Sequence, residues 1–421
     1  MRLSLNPDFD KLWVAQAVSS FGSKITREAL AYIAVLTLVA TPTEMSILSV
    51  AGAVPVLLVG LFVGVWVDRL PRRPLMIVAD LARAVALSAI PLAALTHSLQ
   101  VWLLYAVAAL MGIFSLVFDV ADRSYLPSIV QSDKLLEANS RLSITGSLSE
   151  VGGPALAGLL VQIISAPFTL VLDVLSFLWS AFWLGLIRTP ESSLSPEEGQ
   201  ETPDMWRETR EGVTTLWSNI NLRTLAVVAF LHNFFGWFFG TLYVYFAVRE
   251  LGLSSGVVGL LISAGGVGAL IGAASAERLA RRFGLGRILV LSACTVVIAE
   301  LLVPLASGPL VVIVILMLLA QFVGDIAGEI YAIGDTSLRQ MSVSPRLMGR
   351  VTATMSFLSG GAGPFGAVAA GVLASATSAR LALFVAVAGF GLAALWLALS
   401  PLRNFRLAPA STGLSRADDL H

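Results

Sequence analysis

The sequence predicts an all-α membrane protein of twelve transmembrane helices in two pseudo-symmetric six-helix bundles. Three observations predict it: apolar residues in long runs, basic residues gathered at one set of run ends, and an internal repeat. Of 421 residues, 57% are hydrophobic and 13% are charged, against about 25% charged in an ordinary soluble domain. So few charges cannot clothe a soluble chain of this length. Lys plus Arg total 27 and Asp plus Glu total 27, so no basic excess exists for nucleic acid. The composition excludes a soluble enzyme and a disordered chain. One cysteine, Cys294, excludes a disulfide framework and a Cys-based metal site.

A helix crossing the hydrocarbon needs about 20 mostly apolar residues. Such runs lie near 11–39, 44–67, 74–96, 100–121, 135–163, 166–187, 223–248, 255–276, 287–306, 309–333, 347–375 and 379–400. The first holds charges in its middle and no cleavage-like site follows it, so it reads as a retained helix. Residues such as Arg72, Arg73, Arg123, Arg188, Arg281, Arg282, Arg287, Arg339 and Arg403 fall on one side, against Arg249 and Arg380 on the other. The richer side is expected to be cytoplasmic, with both termini there. The polar stretch Arg188 to Asn221 divides the runs six and six. The expected domains are therefore 1–187, a first bundle; 188–222, a cytoplasmic linker; 223–402, a second bundle; and 403–421, a tail.

The two halves repeat. Gly64-Val-Trp-Val-Asp68-Arg69-Leu-Pro-Arg72-Arg73 is echoed 209 residues later by an Ala273–Arg282 segment holding Glu277, Arg278, Arg281 and Arg282. Gly152-Gly153-Pro154 with Gly158 is echoed 210 residues later by Gly363-Pro364 and Gly366. Asp122-Arg123 is matched by Asp335, with the register slipped by about three. Parallel six-helix repeats place a substrate site at their interface near the midplane.

These residues carry a family resemblance. The Gly64–Arg73 loop resembles the signature loop of the major facilitator superfamily. Gly152, Gly153, Pro154 and Gly158 resemble the glycine-proline motif of its antiporters. Asp122-Arg123-Ser-Tyr-Leu-Pro127 and Gly349-Arg350-Val351 look like its macrolide-efflux and enterobactin-exporter subfamily. The resemblance implies the major facilitator fold and a cytoplasmic gate in which Asp68 acts as a latch with Arg69, Arg72 and Arg73. Glu277 and Arg278 would make a second, weaker latch. The alternative is that these arginines serve topology only.

Ionisable residues inside a span are costly and mark functional candidates. In span one, Lys24 and Glu28 are four apart and able to pair, with Arg27 beside them. Glu150 stands deep in span five, where desolvation would suit a proton carrier. Asp325 and Glu329 are four apart in span ten. Glu28, Glu150, Asp325, Glu329, Lys24 and Arg27 are thus the candidates for proton coupling or substrate charge. Asp80 and Arg83 are expected to pair with each other, and Asp173 and Glu300 stand alone. Gly152, Gly153, Pro154, Gly158, Gly363 and Pro364 are candidate kinks, or plain helix packing.

Span seven is rich in aromatics, which suits a bulky, partly apolar ligand. His232, Phe234, Phe235 and Phe238 are the candidate cavity residues; lipid-facing bulk is the alternative. No phosphate-binding loop occurs, so energy is expected from an ion gradient and not from ATP. No metal or cofactor is expected, and no enzyme activity. The sequence reading is therefore a multi-pass exporter in a bacterial plasma membrane that exchanges amphiphilic, drug- or macrolide-like molecules for protons. Its partners would be such a substrate, protons and the lipid bilayer, with no nucleic acid and no obligate protein partner. The alternatives are a siderophore exporter, favoured by Lys24 and Arg27, and a receptor-like protein that transports nothing.

Overall fold

The computed structural model describes residues 6–189 and 205–405. Among them are thirteen α-helices and no strand. They are α1 (Pro7–Tyr32), α2 (Pro42–Arg69), α3 (Arg72–Leu95), α4 (Val101–Ile129), α5 (Leu135–Ile164), α6 (Ala166–Gly185), α7 (Met205–Ser218), α8 (Ile220–Tyr245), α9 (Ser255–Phe283), α10 (Leu285–Leu305), α11 (Leu310–Ser342), α12 (Pro345–Ala376) and α13 (Ala379–Leu399). The side chains of Gly64, Asp68 and Arg69 lie outside the description, as do residues 190–204 of the expected linker and 406–421 of the expected tail.

Local chemistry sets the helix starts. Asn6 caps α1 ahead of Pro7. Thr41 and Glu44 form a capping box at α2, with Pro42 in the first turn. Ser254 and Ser378 cap α9 and α13. Among the described residues, eleven helices are long and apolar enough to cross a membrane. The twelfth long helix, α1, falls outside that count because it carries Asp8, Asp10, Lys11, Lys24, Arg27 and Glu28. Its place is set by packing against α5 and α6. Several helices run past the predicted spans, α4 to Ile129 and α11 to Ser342, because hydropathy sees only the part of a helix that lipid surrounds.

The packing is duplicated. In the first group α1 meets α5 and α6, α3 meets α4 and α6, and α2 meets α4. In the second, α8 meets α12 and α13, α10 meets α11 and α13, and α9 meets α11. Both α1 and α8 run on into five π-helical residues, Ile33–Thr37 and Phe246–Glu250. The short amphipathic α7 lies on α12 and α8, buries Leu216 and pairs Glu211 with Arg350.

Two helix crossings join the groups, α5 on α9 and α2 on α12. At the first, a side chain on Gly158 would overlap the Ser255 carbonyl, with Gly259 beside it. At the second, a side chain on Gly371 would overlap the Ser46 hydroxyl and crowd the Pro42 carbonyl. Each residue of the second crossing lies 213 from its counterpart in the first. Hydrogen bonds reinforce the seam: Tyr32 Oη donates to the Ser255 carbonyl at 3.2 Å, Ser255 Oγ to the Gly158 carbonyl at 3.0 Å, and Thr43 bonds Ser375 at 2.7 Å. All lie at the end opposite Pro7. There one apolar cluster runs through both groups, from Tyr32 and Leu170 to Leu242 and Leu383. Toward the Pro7 end the cores separate, one around Phe9, Met76 and Tyr125, the other around Leu222, Leu289 and Leu397. The space between the groups therefore widens toward the end that carries Pro7 and Leu399.

Replacing Gly158 or Gly371 with Leu should overpack the seam and cost roughly 1–3 kcal/mol, read as a lower melting temperature in detergent. Gly146→Ala, where a side chain meets nothing, should leave it unchanged.

Candidate functional site: a central cavity between the two helix groups

A cavity of about 780 Å³ lies between the groups, lined by α1, α2, α4 and α8. That is the size of a pocket for a drug-sized molecule. Its wall includes Arg27, Met45, Met111, Asn233 and Trp237. Methionines give such a wall an adaptable, polarizable surface. Arg27 and His232 are the ionisable residues in it.

Arg27 belongs to a four-residue charge set. Lys24 pairs with Glu150 across α1 and α5. Arg27 reaches the other Glu150 oxygen at 3.5 Å and Glu28 at 3.4 Å. Two bases face two acids, so the set is neutral when all are charged. The pairing expected between Lys24 and Glu28 is not formed. Gly153 of α5 sits against the Lys24 stem, where a Cβ would lie 2.5 Å from that of Lys24. This close approach brings Lys24 to the neighbouring helix and leaves Glu28 to Arg27. The expectation that Glu150 is desolvated also fails: its side chain is 52% exposed and held between two cations. Glu28, at 12%, is the shielded acid of the set.

The aromatic face of α8 is not the one expected. Phe234, Phe235 and Phe238 are absent from the cavity wall and pack on one another, with centroids 5.0–6.0 Å apart. The Phe234 backbone abuts Gly366 of α12, the Phe235 ring abuts Gly389 of α13, and Phe238 is buried. The cavity takes the opposite face of α8, Asn233, Gly236, Trp237 and Gly240. The spacing of Asn233 with Trp237 and of Gly236 with Gly240 was the available signal: four-residue steps put each pair on one face. His232 does line the cavity. It also lines a separate chamber of about 20 Å³ with Tyr331 and Phe390, their ring centroids 6.4 and 5.0 Å away.

The glycine-proline residues serve both groups. Pro154 is buried inside α5 and leaves the Glu150 carbonyl without its helical donor. The next amide, Ala155 N, donates to Ser263 Oγ of α9 at 2.9 Å. Gly152 lies under the Phe21 ring. In α12, Gly363 makes room for the Trp237 indole beside the buried Pro364.

Other expected site residues lie elsewhere. Asp325 takes a hydrogen bond from Gln321 at 2.8 Å and faces Gly265 of α9, and Glu329 lies against Gly272 of the same helix. Both acids therefore sit at the α9–α11 contact. Arg73 donates to the Leu184 carbonyl at 2.8 Å and to that of Gly185, capping α6 within the first group, while Arg72 opens α3. Glu277 pairs with Arg281 of its own helix at 2.8 Å, both side chains exposed, and Arg278 is exposed too. The second latch expected of Glu277 and Arg278 is not formed, because a solvated one-turn pair is the nearer partner. As expected, Asp80 pairs with Arg83.

Residues 5–414 match the model of the transmembrane secretion effector family. The chain belongs to that family, within the major facilitator superfamily. Multidrug efflux pump Tap of Mycolicibacterium fortuitum is 29% identical over 379 residues, 87% of this chain and 89% of that protein. Macrolide efflux protein A of Streptococcus pyogenes is 28% identical over 226 residues, 54% of this chain and 55% of that protein. Among solved structures, a bacterial homologue of the iron transporter ferroportin in an inward-facing state gives a TM-score of 0.72 at 18% identity, covering 94% of this chain and 98% of that one. The outward-facing state gives 0.55 at 18% identity, over 93% and 98% of the two chains. Nucleoside transporter NupG gives 0.71 at 11% identity, over 93% and 98%. At such identities these structures show the fold. The family makes this a membrane transporter and not an enzyme.

Removing one member of the charge set should cost more than removing a matched pair. Lys24→Met alone leaves Glu150 short of a cation; adding Glu150→Gln should restore most of the lost stability. Melting temperatures of the two single variants and the double variant check this.

Proposed function

We propose that this member of the family exports amphiphilic, drug- or macrolide-like molecules by alternating access, in exchange for protons. The observation that carries the reading is the cavity of about 780 Å³ between two helix groups that are joined at one end only. The names of the two efflux relatives support the passenger class. We place the Pro7 end in the cytoplasm, because Arg72, Arg73, Arg123, Arg281, Arg287 and Arg339 lie at that end. At the far end Arg380 is engaged within the protein, donating to the Pro304 carbonyl at 2.6 Å. In this orientation the cavity loads from the cytoplasm, residues 188–222 link the two moving groups, and Asp68 with its neighbouring arginines belongs to the opening side.

The charge set supplies the coupling. With Glu150 and Glu28 ionised, Lys24 and Arg27 are neutralised. A proton on Glu150 unmasks a positive charge at the wall of the cavity. That charge disfavours a cationic passenger, so proton and passenger occupy the site in turn, as exchange requires. A neutral amphiphile responds through the freed Arg27, whose hydrogen-bonding partners change. Trp237, Met45 and Met111 supply the apolar contact, and Asp325 and Glu329 are assigned an auxiliary charge role at the α9–α11 contact.

Arg27 in the cavity wall favours a second reading, an anionic passenger such as a catecholate siderophore. An anion would displace Glu150 from Arg27 and favour its protonation, so passenger and proton would travel together. The direction of proton movement therefore separates the two.

In everted membrane vesicles, a labelled macrolide should accumulate and the accumulation should collapse with a proton uncoupler. Glu150→Gln should abolish that uncoupler-sensitive part at unchanged protein level. Trp237→Ala should weaken passenger affinity by up to about tenfold, the worth of an aromatic contact. Full uncoupler-sensitive transport by Glu150→Gln would remove Glu150 from the coupling role.

A further inference from the structure

The first helix group holds a second set of ionisable residues that the exchange scheme does not use. Asp173 of α6, Asp80 of α3 and Arg83 of α3 are 0%, 0% and 3% exposed. Arg83 pairs with Asp80 and is held between the Phe118 and Phe177 rings, 4.5 and 4.3 Å from their centroids. Asp80 and Asp173 thus share one base, which Asp119 of α4 also faces, so the acids outnumber the cation. Sealing such a charge in a low-dielectric interior is expensive unless it is paired or takes a proton.

Asp173 is the acid without a cation of its own. Its two oxygens accept from Thr26 Oγ1 of α1 and from Ser176 Oγ, the latter at 2.7 Å. The charged groups that face it are Asp80 and Arg83, both from α3; α1 offers the Thr26 hydroxyl and the hydrogen of Gly22. Hydroxyls donate to a carboxylate and accept from a carboxylic acid, so this cradle serves both protonation states. Any side chain at position 22 would overlap Asp173 and Ser176, so α1 can lie this close only with glycine there.

Thr26 also lines the central cavity. It is therefore the polar link between water in that cavity and a carboxyl with no exposure of its own. We propose that Asp173 is a proton-binding site reached from the central cavity through Thr26, distinct from the Lys24–Arg27–Glu28–Glu150 set. Hydronium in the cavity gives a proton to Thr26 Oγ1 as Thr26 gives its own hydrogen to Asp173 Oδ2, so one O–H bond forms at Thr26 as another breaks and water is left in the cavity. The ionised form holds α1 to α6 through the Thr26 donor. In the protonated form Thr26 Oγ1 accepts from the acid and its own hydrogen turns to a carbonyl of its own helix, so a charge-assisted bond between α1 and α6 becomes a weaker neutral one. The protonation state of Asp173 thereby sets how tightly the helix that carries Lys24, Arg27 and Glu28 is bound to its own group.

The test needs no passenger, so its outcome is independent of the export reading. The purified full chain in lipid nanodiscs is titrated with acid and base while its infrared difference spectrum is recorded. A carboxylic C=O band that appears and vanishes with pH in the wild type should be missing in Asp173→Asn. Thr26→Val keeps the carboxyl and removes the relay, so it should shift the midpoint of that band by about one pH unit, a tenfold change in proton affinity. It should also slow the exchange of the bound proton for deuterium. Thr26→Val supplies the reading if Asp173→Asn proves unstable. A spectrum in which neither substitution alters any carboxyl band overturns the proposal.

Discussion

The architecture turns on the approach of backbone to backbone where the two helix groups cross. At Gly158 and Gly371 there is no room for a side chain, because a carbonyl or a hydroxyl of the other group stands where a Cβ would be. Such a joint concentrates the attachment in a small area at one end. The Ser255 hydroxyl and carbonyl both take part in it, bonded to Gly158 and to Tyr32. Because the attachment is local, the rest of each group is held only by its own core, and the two cores at the Pro7 end share no cluster. A cavity that opens to one side is the geometric result. Next to Pro154, the Ala155 amide donates to Ser263 Oγ of α9 and adds a bond across the seam.

The same crossing gives the true register of the duplication, 213 residues. With it, the interiors of the two groups can be compared position by position. The chamber beside His232 is lined by Ala293, Val296, Tyr331 and Phe390; their counterparts are Asp80, Arg83, Phe118 and Phe177. In the first group the Arg83 guanidinium fills the space between two rings. In the second group valine stands in its place and a space of about 20 Å³ remains, room for about one water. Gly22 beneath Asp173 and Ser176 corresponds to Phe235 against Gly389. Volume has moved from one helix to its neighbour while the sum across the contact is kept, which a close-packed interior demands.

Much of this was legible in the sequence for a simple reason. Lipid imposes length and apolarity on a spanning helix, and both can be counted along the chain. Charge asymmetry and the six-and-six division are also linear properties. The side a residue faces is not. Phe234, Phe235 and Phe238 were conspicuous by composition, but the cavity lies against Asn233, Gly236, Trp237 and Gly240, a face marked mainly by its small residues. Lys24 and Glu28 have the spacing of a pair, yet the partner of Lys24 came from α5 once Gly153 allowed the helices together. The 209- and 210-residue shifts fell short of 213 because short glycine- and arginine-rich motifs match themselves at several offsets. Only the Asp122–Asp335 pair carried the structural register.

The register also explains how a symmetric frame can do asymmetric work. Lys24 and Glu150, which form the ion pair between α1 and α5, correspond to Trp237 and Gly363, which pack together between α8 and α12. One joint has thus become a charge pair in the first group and an aromatic contact in the second. Asp80, Arg83 and Asp173 likewise correspond to alanine, valine and alanine at 293, 296 and 386. At the cavity itself, α1 contributes the cation Arg27 and α8 the indole of Trp237, from the two different groups. This division has a physical advantage. In the proposed exchange, the charge set at the cavity would respond to protons and the apolar wall to the passenger. If both properties occupied the same helix, a change in protonation would have to disturb the contact surface directly. Placed on opposite walls, they would interact through the passenger and through the movement of the groups, which is what the proposed coupling between two different cargoes requires.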